Sequence, residues 1–589
     1  MAVTRVFDIL PQLKEKYNKP NALAAKENGK WVTYSTDQFI ETATNLSYGL
    51  LQLGVVAGDK IAIIANNRPE WNFTDYGIQM CGAISVPIYP TISENDLNFI
   101  LNDAQVKYIF ISNTDMYAKV STVAKSCACV KEIYTFDKVA NAKHWLEVTE
   151  LGKKNPNASE LEKIKSTIQP NDLLTILYTS GTTGNPKGVM LSHNNLISNS
   201  LASQNLCPFQ SHWKALSFLP LNHVYERMLT TLYMYRGISI YYAESLETIG
   251  DNLKEIKPDV FSTVPRLLEK VYDKIVAKGT DLTGIKKKLF FWALDLGLRY
   301  ELNGANGWWY EFQLKIANKL IFSKWREALG GNVVAAVSGG AALQPRLARV
   351  FNAAKITVLE GYGLTETSPV VAVNNFLPNS IRFGTVGPVI DGVTVKIAED
   401  GEILVKGPNV MLGYYNRPDA TAEVIDADGW FHTGDIGTFV ENRFLKITDR
   451  KKEIFKTSGG KYIAPVMIEN KLKESPFIEQ AMVLGENQKY ASALIVPAFA
   501  FIKDYCTRKN IPFTSNEGII KNETIKARII KEVEKVNAGL AQYEKIKNPE
   551  LLAREWTIDN GEMTPKLSLK RKVIMANNQI LIDKIYKEA

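Results

Sequence analysis

Short apolar runs alternate along the chain with segments whose apolar residues recur at helical spacing. From Lys60, "KIAIIA" is a β-rich run, and "RPEWNFTDYGIQMCGA" follows with helical spacing and Pro69 near its first turn. "ISVPIY" comes next. "SENDLNFILNDA" then starts at Ser93, a suitable N-cap, and "KYIFIS" closes the series. Strands alternating with helices predict an α/β domain with a largely parallel sheet. The polar stretch "LGKKNPNASELEKIKSTIQPND" (151–172) contains two Pro and reads as an exposed connection. A second series follows, "LLTILYT", "ALSFLP", "ISIYYA", "DVFSTVP" and "NVVAAVSGG", with helical patterns between its runs. It predicts a second α/β lobe.

After about residue 380 the periodicity changes. "TVGPVIDGVTVKIAEDGEILVKGP" has short alternating runs and turn residues, the pattern of a small antiparallel β subdomain. From Asp449 a Lys- and Gly-rich crossing, "DRKKEIFKTSGGKYIAP", leads into a compact α+β region. No repeat of fixed period interrupts the chain.

Composition adds bounds to this picture. With 589 residues, 46% apolar and 22% charged, the chain has material for several ordinary globular domains. The formal charge of +8 is mild for this length and suits anionic ligands or an anionic membrane surface. No basic run or basic-aromatic repeat suggests nucleic acid. The five Cys have irregular spacing, "CAC" at 127–129 included, and read as reduced thiols in a cytoplasm-like compartment. The N-terminus lacks the apolar region of a signal peptide, and no segment reaches the roughly 18 apolar residues of a membrane span. Peripheral membrane contact stays open.

The densest chemistry lies in "YTSGTTGNPKGVM", Tyr178 to Met190, between a β run and a helix start at "SHNN". Glycines let several backbone N–H groups face one anion, hydroxyls add donors, and Lys187 adds charge. A Walker loop is excluded, because Lys187 is followed by Gly188 rather than Ser or Thr. Composition alone leaves a phosphate cradle and a surface turn as equals.

The string "YTSGTTGNPKG" closely resembles the signature of the adenylate-forming superfamily of acyl-CoA synthetases, luciferases and adenylation domains. Further strings follow in that superfamily's order. "GYGLTET" (361–367) resembles its adenine and metal motif, "HTGD" (432–435) its ribose motif and "TDRKKEIFKTSGGKYIAP" (448–465) its hinge motif. "LPLNHVYER" (219–227), "VPRLLEKVYDKI" (264–275) and "FSKWREALGGNVVAAVSGGAAL" (322–343) are similar to the long-chain fatty acyl-CoA synthetases in particular.

The resemblance implies a fold and a division of the chain. A large N-terminal domain (1–448) would hold two α/β lobes (about 1–380) and a small β-barrel-like subdomain (about 381–448). A hinge (449–453) would join it to a small mobile α+β C-terminal domain (454–589) that rotates between two half-reactions.

It also implies a function, an AMP-forming long-chain fatty acid:CoA ligase with ATP, coenzyme A and a long-chain fatty acid as substrates and Mg²⁺ as cofactor. Thr179, Ser180, Gly181, Thr182, Thr183, Gly184 and Lys187 would hold phosphates, with Thr365 beside them. Glu366 would bind Mg²⁺. Gly340, Ala341, Tyr362 and Gly363 would receive adenine, and Asp435 and Arg450 the ribose. His223 would stand near the carboxylate and α-phosphate, although a lone His is more often structural. His193 reads as a helix-start residue. Lys452 would be the hinge pivot, and Gly459 and Gly460 would line the route of coenzyme A.

One departure stands out. In "NGEMTPKLSLKRKVI" (560–574) the position expected to hold the C-terminal catalytic lysine is Ser568, flanked by Lys566 and Lys570. Either lysine could take the role. Two alternatives stay beside the ligase: an acyl-AMP ligase that loads a carrier protein and, on the Ser568 departure alone, a relative that binds nucleotide or lipid with impaired catalysis. The aromatic and Lys-rich stretch 285–325 has two readings as well, a pair of core-facing helices or an amphipathic surface that meets a membrane.

Overall fold

The computed structural model describes residues 2–179, 185–245, 247–557, 560–564 and 569–587. The chain forms two compact units. One comprises Met1–Lys396, Leu404–His432 and Glu441–Leu445, the other Ile397–Ile403, Thr433–Val440 and Lys446–Ala589. The stretch expected as a β subdomain supplies strands Thr394–Ile397, Glu402–Lys406, Phe431–Val440 and Phe444–Arg450, and contributes to both units.

The first unit is built on two eight-stranded sheets. In the first, the order is Gly413–Tyr414, Lys187–Ser192, Leu173–Thr179, Ile84–Pro87, Lys60–Ile64, Val106–Ile111, Glu132–Thr135 and Lys143–His144. The pairings from Leu173–Thr179 onward are parallel, whereas the two edge pairings through Lys187–Ser192 are antiparallel. In the second sheet the order is Val370–Val373, Thr357–Gly363, Ala335–Ser338, Val260–Thr263, Lys214–Ser217, Ser239–Tyr242, Leu23–Glu27 and Lys30–Tyr34. "LLTILYT" thus joins the first series rather than the second, with Thr175 opposite Ser85. A run buried on both faces reads the same in either sheet, so its place is settled by tertiary pairing.

The polar stretch 151–172 is not a plain connection. Ala158–Thr167 is a helix, capped by the Asn157 side chain, which accepts from Glu160 N–H. Leu161 is buried and Ile164 packs beside the same core. This i, i+3 pair is the apolar stripe that the surrounding Lys, Glu and Ser obscured.

Helices Pro69–Met80 and Val224–Tyr235 connect the two sheets. Arg227 Nη2 donates to Asp75 Oδ1 at 2.7 Å and to Ser85 Oγ at 3.0 Å, and both ion-pair partners are buried. Asn72 Nδ2 donates to the hydroxyl of Tyr242, in the second sheet. Asn222 Nδ2 donates to the carbonyls of Ile63 and Ile88, which tethers the start of the Val224 helix to the ends of first-sheet strands.

The second unit has its own core. Strand Ile478–Leu484 pairs antiparallel with Ser492–Pro497, which pairs parallel with Glu550–Leu551. Ile468, Leu494, Ile495, Ile529 and Trp556 are buried together there. Glu469 accepts from Arg571 at 2.6 Å and from Val483 N–H at 2.7 Å, so this buried carboxylate is paired rather than stranded. All five cysteines are free thiols.

Replacing one partner of a buried ion pair leaves the other charge uncompensated, at a cost of about 3–5 kcal/mol. Asp75→Ala is expected to lose stability of that order in urea unfolding. Glu70→Ala on the same helix removes the half-buried ion pair with Arg68 and is expected to cost about 1 kcal/mol or less. Equal losses for the two variants would contradict this account.

Candidate active site

The strands on either side of residues 180–184 pair with each other. Leu173–Thr179 and Lys187–Ser192 pair antiparallel, with Thr179 opposite Lys187, and the helix His193–Ser203 begins only after the second strand. The expected direct passage from the glycine-rich stretch into a helix is therefore corrected, because the strand Lys187–Ser192 intervenes. Ser180, Gly181, Thr182, Thr183 and Gly184 lie outside the described residues. At Gly188 a Cβ would approach Ile176 Cγ2 to 2.7 Å, so the strand after the loop admits only glycine without adjustment.

A distant segment completes the edge of this strand pair. Gly413 pairs with Met190 and Tyr414 with Val189, and Tyr415 N–H donates to the Gly188 carbonyl at 2.7 Å. This sets Tyr414 between two of the motifs. The Lys187 ammonium lies 5.0 Å from its ring centroid, and its hydroxyl donates to Glu366 Oε1 at 2.9 Å. The Glu366 backbone is fixed too, its carbonyl accepting from Met411 N–H at 2.9 Å. Lys187 and Glu366, read from separate strings, thus meet at a residue that neither string contains.

Glu366 sits in a single 3₁₀ turn, Thr365–Thr367, in which Thr365 is buried. Strand Thr357–Gly363 delivers Tyr362, half-buried, just before it. Gly363 has no room for a side chain, because a Cβ there would lie 1.8 Å from the Pro369 carbonyl oxygen. The neighbouring strand Ala335–Ser338 is soon followed by Gly340, at φ +81°, and Ala341, both exposed. Glu360 links the two strand ends by accepting from Leu343 N–H at 2.9 Å. Burial pushes its carboxyl up to about 8, against the effect of that hydrogen bond.

His223 is the N-cap of the helix Val224–Tyr235. Its Nδ1 accepts from Tyr225 N–H at 3.1 Å, which in a neutral ring leaves the proton on Nε2. The structural reading of His223 is thus realised, and a cap does not preclude a further role. Behind it, Glu226 is buried and accepts from Ser262 Oγ. Burial pushes Glu226 up to about 7 despite hydrogen bonds from Ser217 and Ser262. His193 begins its helix as expected. Its Nδ1 accepts from Val6 N–H at 3.2 Å, and burial lowers it to about 3.

The second unit carries the remaining residues. Asp435 is buried, and Arg450 Nε lies 3.3 Å from its Oδ1. Lys451 is held by Asp400 and Glu402, at 2.6 and 2.7 Å. Lys452 is exposed, in the turn that follows strand Phe444–Arg450. Gly459 and Gly460 occupy the exposed tip of the hairpin Phe455–Lys456 and Tyr462–Ile463. Lys570 is exposed at the start of the helix Arg571–Asn577. Lys566 and Ser568 lie outside the described residues.

Among the described residues, no three His, Cys, Asp or Glu side chains converge as a metal cage. Glu366 alone, oriented by Tyr414, suits a hard cation that takes its other ligands from phosphates and water. A cleft of about 650 Å³ lined by Glu301, Arg349, Arg382 and Arg443 contains none of the motif residues. Two of its arginines are neutralised, by Glu301 and Glu441.

The AMP-binding enzyme family matches residues 14–415, and the AMP-binding enzyme C-terminal domain matches residues 452–589. The chain is 33% identical over 568 residues to the long-chain-fatty-acid–CoA ligase FadD15 of Mycobacterium bovis, covering 95% of this chain and 93% of that protein. It is 32% identical over 622 residues to the long-chain-fatty-acid–CoA ligase ACSBG2 of Xenopus laevis, covering 99% of this chain and 84% of that protein. The adenylation domain of a carboxylate reductase from Mycobacterium chelonae has a similar structure, with a TM-score of 0.75 at 22% identity over 99% of this chain and 91% of that one. At that identity the likeness bears on the fold alone.

Glu360 makes stability depend on pH. Its ordinary value is 4.5, so the folded protein keeps a proton that the unfolded chain releases between pH 4.5 and about 8. The associated stability is complete below pH 4.5 and drains as pH rises to about 8. Glu360→Gln keeps an acceptor for Leu343 N–H and cannot ionise. Relative to the parent it is expected to gain on the order of 3 kcal/mol between pH 4.5 and pH 8, read from urea unfolding at both values. A difference that is flat with pH would refute the assignment.

Proposed function

The chain belongs to the AMP-binding enzyme family, and on that footing we propose that it is an AMP-forming long-chain fatty acid:CoA ligase. The reading is carried by the meeting of Lys187 and Glu366 at Tyr414, which gathers an ammonium and a carboxylate at the strand that follows a glycine-rich stretch. Relatives named for this activity, matched over nearly the whole chain, support it.

A carboxylate is a poor acylating agent because hydroxide is a poor leaving group. In the first half-reaction the fatty acid carboxylate attacks the α-phosphate of ATP and pyrophosphate leaves. In the second, the thiol of coenzyme A attacks the acyl-adenylate, the thioester forms and AMP leaves. The first step brings one more anion against a triphosphate, so alignment and charge neutralisation dominate it.

Lys187 and the loop donors Thr179 to Gly184 take the phosphates, with Thr365 beside them. Mg²⁺, held by Glu366, would add the positive charge that the triphosphate needs. Tyr362 stacks on adenine, while Gly340, Ala341 and Gly363 leave room for the base. Asp435 accepts from the ribose hydroxyls, and Arg450 orients it. His223 serves the carboxylate and the α-phosphate. Lys452 is the pivot between half-reactions, and Gly459 and Gly460 line the path of coenzyme A. Lys566 or Lys570 stabilises the developing adenylate charge. We place the enzyme in a cytoplasm-like compartment, open to peripheral membrane contact. No helix among the described residues is long and apolar enough to cross a membrane.

Supplied with ATP, Mg²⁺, palmitate and coenzyme A, the protein is expected to release AMP and form the thioester in equal amounts. AMP without thioester would point instead to a carrier protein as acceptor. Absence of fatty-acid-dependent pyrophosphate exchange at every chain length would sink the enzyme reading.

Tyr414→Phe keeps the ring beside Lys187 and removes the hydroxyl that holds Glu366. It is expected to slow pyrophosphate exchange about tenfold, or ~1.4 kcal/mol, and to leave thiolysis of preformed acyl-adenylate unchanged. An exchange rate equal to the parent's would remove Tyr414 from the site. Of Lys566→Ala and Lys570→Ala, one is expected to slow adenylation selectively; if neither does, both lysine assignments fail.

A further inference from the structure

The aromatic stretch 285–325 divides its side chains between core and solvent. Helices Gly284–Leu298 and Trp308–Ala317 run side by side in opposite directions, with Trp292 Nε1 facing Gln313 Oε1 at 3.4 Å and the Tyr310 hydroxyl donating to the Leu296 carbonyl at 2.5 Å. Phe290, Leu294, Tyr310, Leu314, Phe322 and Trp325 are buried in the core beneath them. The opposite side carries Trp308, Trp309 and Phe312 at 80%, 57% and 51% exposure, continued by Ile316 and Leu320. Trp309 stacks on Phe312 at 5.6 Å and meets Trp308 edge-on at 5.7 Å. Ile285 and Phe291 add exposed apolar surface from the first helix.

A soluble surface gains nothing from three adjacent exposed aromatic rings, which cost hydration free energy in water. Their neighbours supply the second observation. Lys286, Lys288, Lys315 and Lys319 are exposed on the same elements. The acids there are Asp295, paired with Arg299, and Glu311, half-buried. These elements thus present exposed aromatic side chains and exposed lysines together. Trp and Phe enter the headgroup region of a bilayer while Lys remains at its charged surface, so the two sets act together on anionic lipid. A second copy of the chain would bring lysine against lysine on this face, which disfavours self-association as its purpose.

We propose that the face formed by Trp308, Trp309, Phe312, Ile316 and Leu320, with Lys286, Lys288, Lys315 and Lys319, docks the protein on an anionic lipid bilayer. Docking is a property of this surface and holds whether or not the ligase reading does. If that reading is right, the enzyme works where a long-chain fatty acid is most concentrated. Each lysine near the surface adds attraction that salt screens, and the aromatic rings supply a part that salt leaves untouched.

The test is co-sedimentation of the full chain with vesicles of phosphatidylcholine, with and without phosphatidylglycerol. The parent protein is expected to bind the anionic vesicles and to release partly at raised salt. The triple variant Trp308→Ser, Trp309→Ser, Phe312→Ser should bind at least about tenfold more weakly at every salt concentration. Lys286→Ala, Lys288→Ala, Lys315→Ala, Lys319→Ala should lose the preference for anionic vesicles and keep the salt-resistant part. Thermal unfolding and pyrophosphate exchange with a detergent-solubilised fatty acid are expected to match the parent in both variants, which separates loss of docking from loss of fold or catalysis. Equal vesicle binding by the aromatic variant and the parent would overturn the proposal. So would a parent that ignores anionic vesicles, or a parent that dimerises through this face in sedimentation velocity while the aromatic variant stays monomeric.

Discussion

One desolvated ion pair, Arg227 with Asp75, sets the geometry from which the first unit is built. A guanidinium and a carboxylate removed from water must meet each other closely or not be buried at all. Their pairing holds the helix Val224–Tyr235 against the helix Pro69–Met80 and ties it to Ser85 at a strand of the first sheet. That helix begins at His223. The position of the cap, the loop before it and Glu226 behind it all follow from where Arg227 can reach. Asn222 repeats the constraint with neutral groups, spanning two strand ends with one side-chain amide.

The candidate site is assembled by backbone pairing as much as by side chains. A two-residue strand, Gly413–Tyr414, attaches to the strand that follows the glycine-rich stretch. Its register decides that Tyr414, rather than Tyr415, stands between Lys187 and Glu366. A shift by one residue would turn that side chain to the other face. Gly188 and Gly363 mark where chain segments approach too closely for a Cβ, and both lie within motifs that deliver functional groups.

Much of this was legible in the sequence. Alternating strands and helices announced two α/β lobes, because parallel sheets impose that order on a chain. The ordered strings announced the family, which the family matches over 14–415 and 452–589 bear out. What stayed hidden depends on residues brought from afar. Tyr414 lies in "GYYNRP", whose role is visible only once the strand is docked. Glu360 is a lone acid in an apolar run, and nothing local tells whether it is buried or exposed. The polar texture of 151–172 concealed a helix because two apolar residues suffice for a narrow stripe. The aromatic helices 284–317 could not be assigned from periodicity, which gives one face or the other but not the presence of a neighbour. Both faces are apolar, and the core takes only one.

The strand order of the first sheet carries a consequence for how the protein is made. Lys187–Ser192 is an interior strand in the finished sheet, yet its outer partner is encoded more than two hundred residues downstream. On the ribosome, that strand and its row of unpaired backbone groups must wait as an open edge while the rest of the second sheet, from Lys214–Ser217 to Val370–Val373, is made. The contact that unites Lys187 with Glu366 is therefore among the latest of the first unit to become possible. That contact can form only after the scaffold is in place, and the nascent chain spends the interval with an open strand edge.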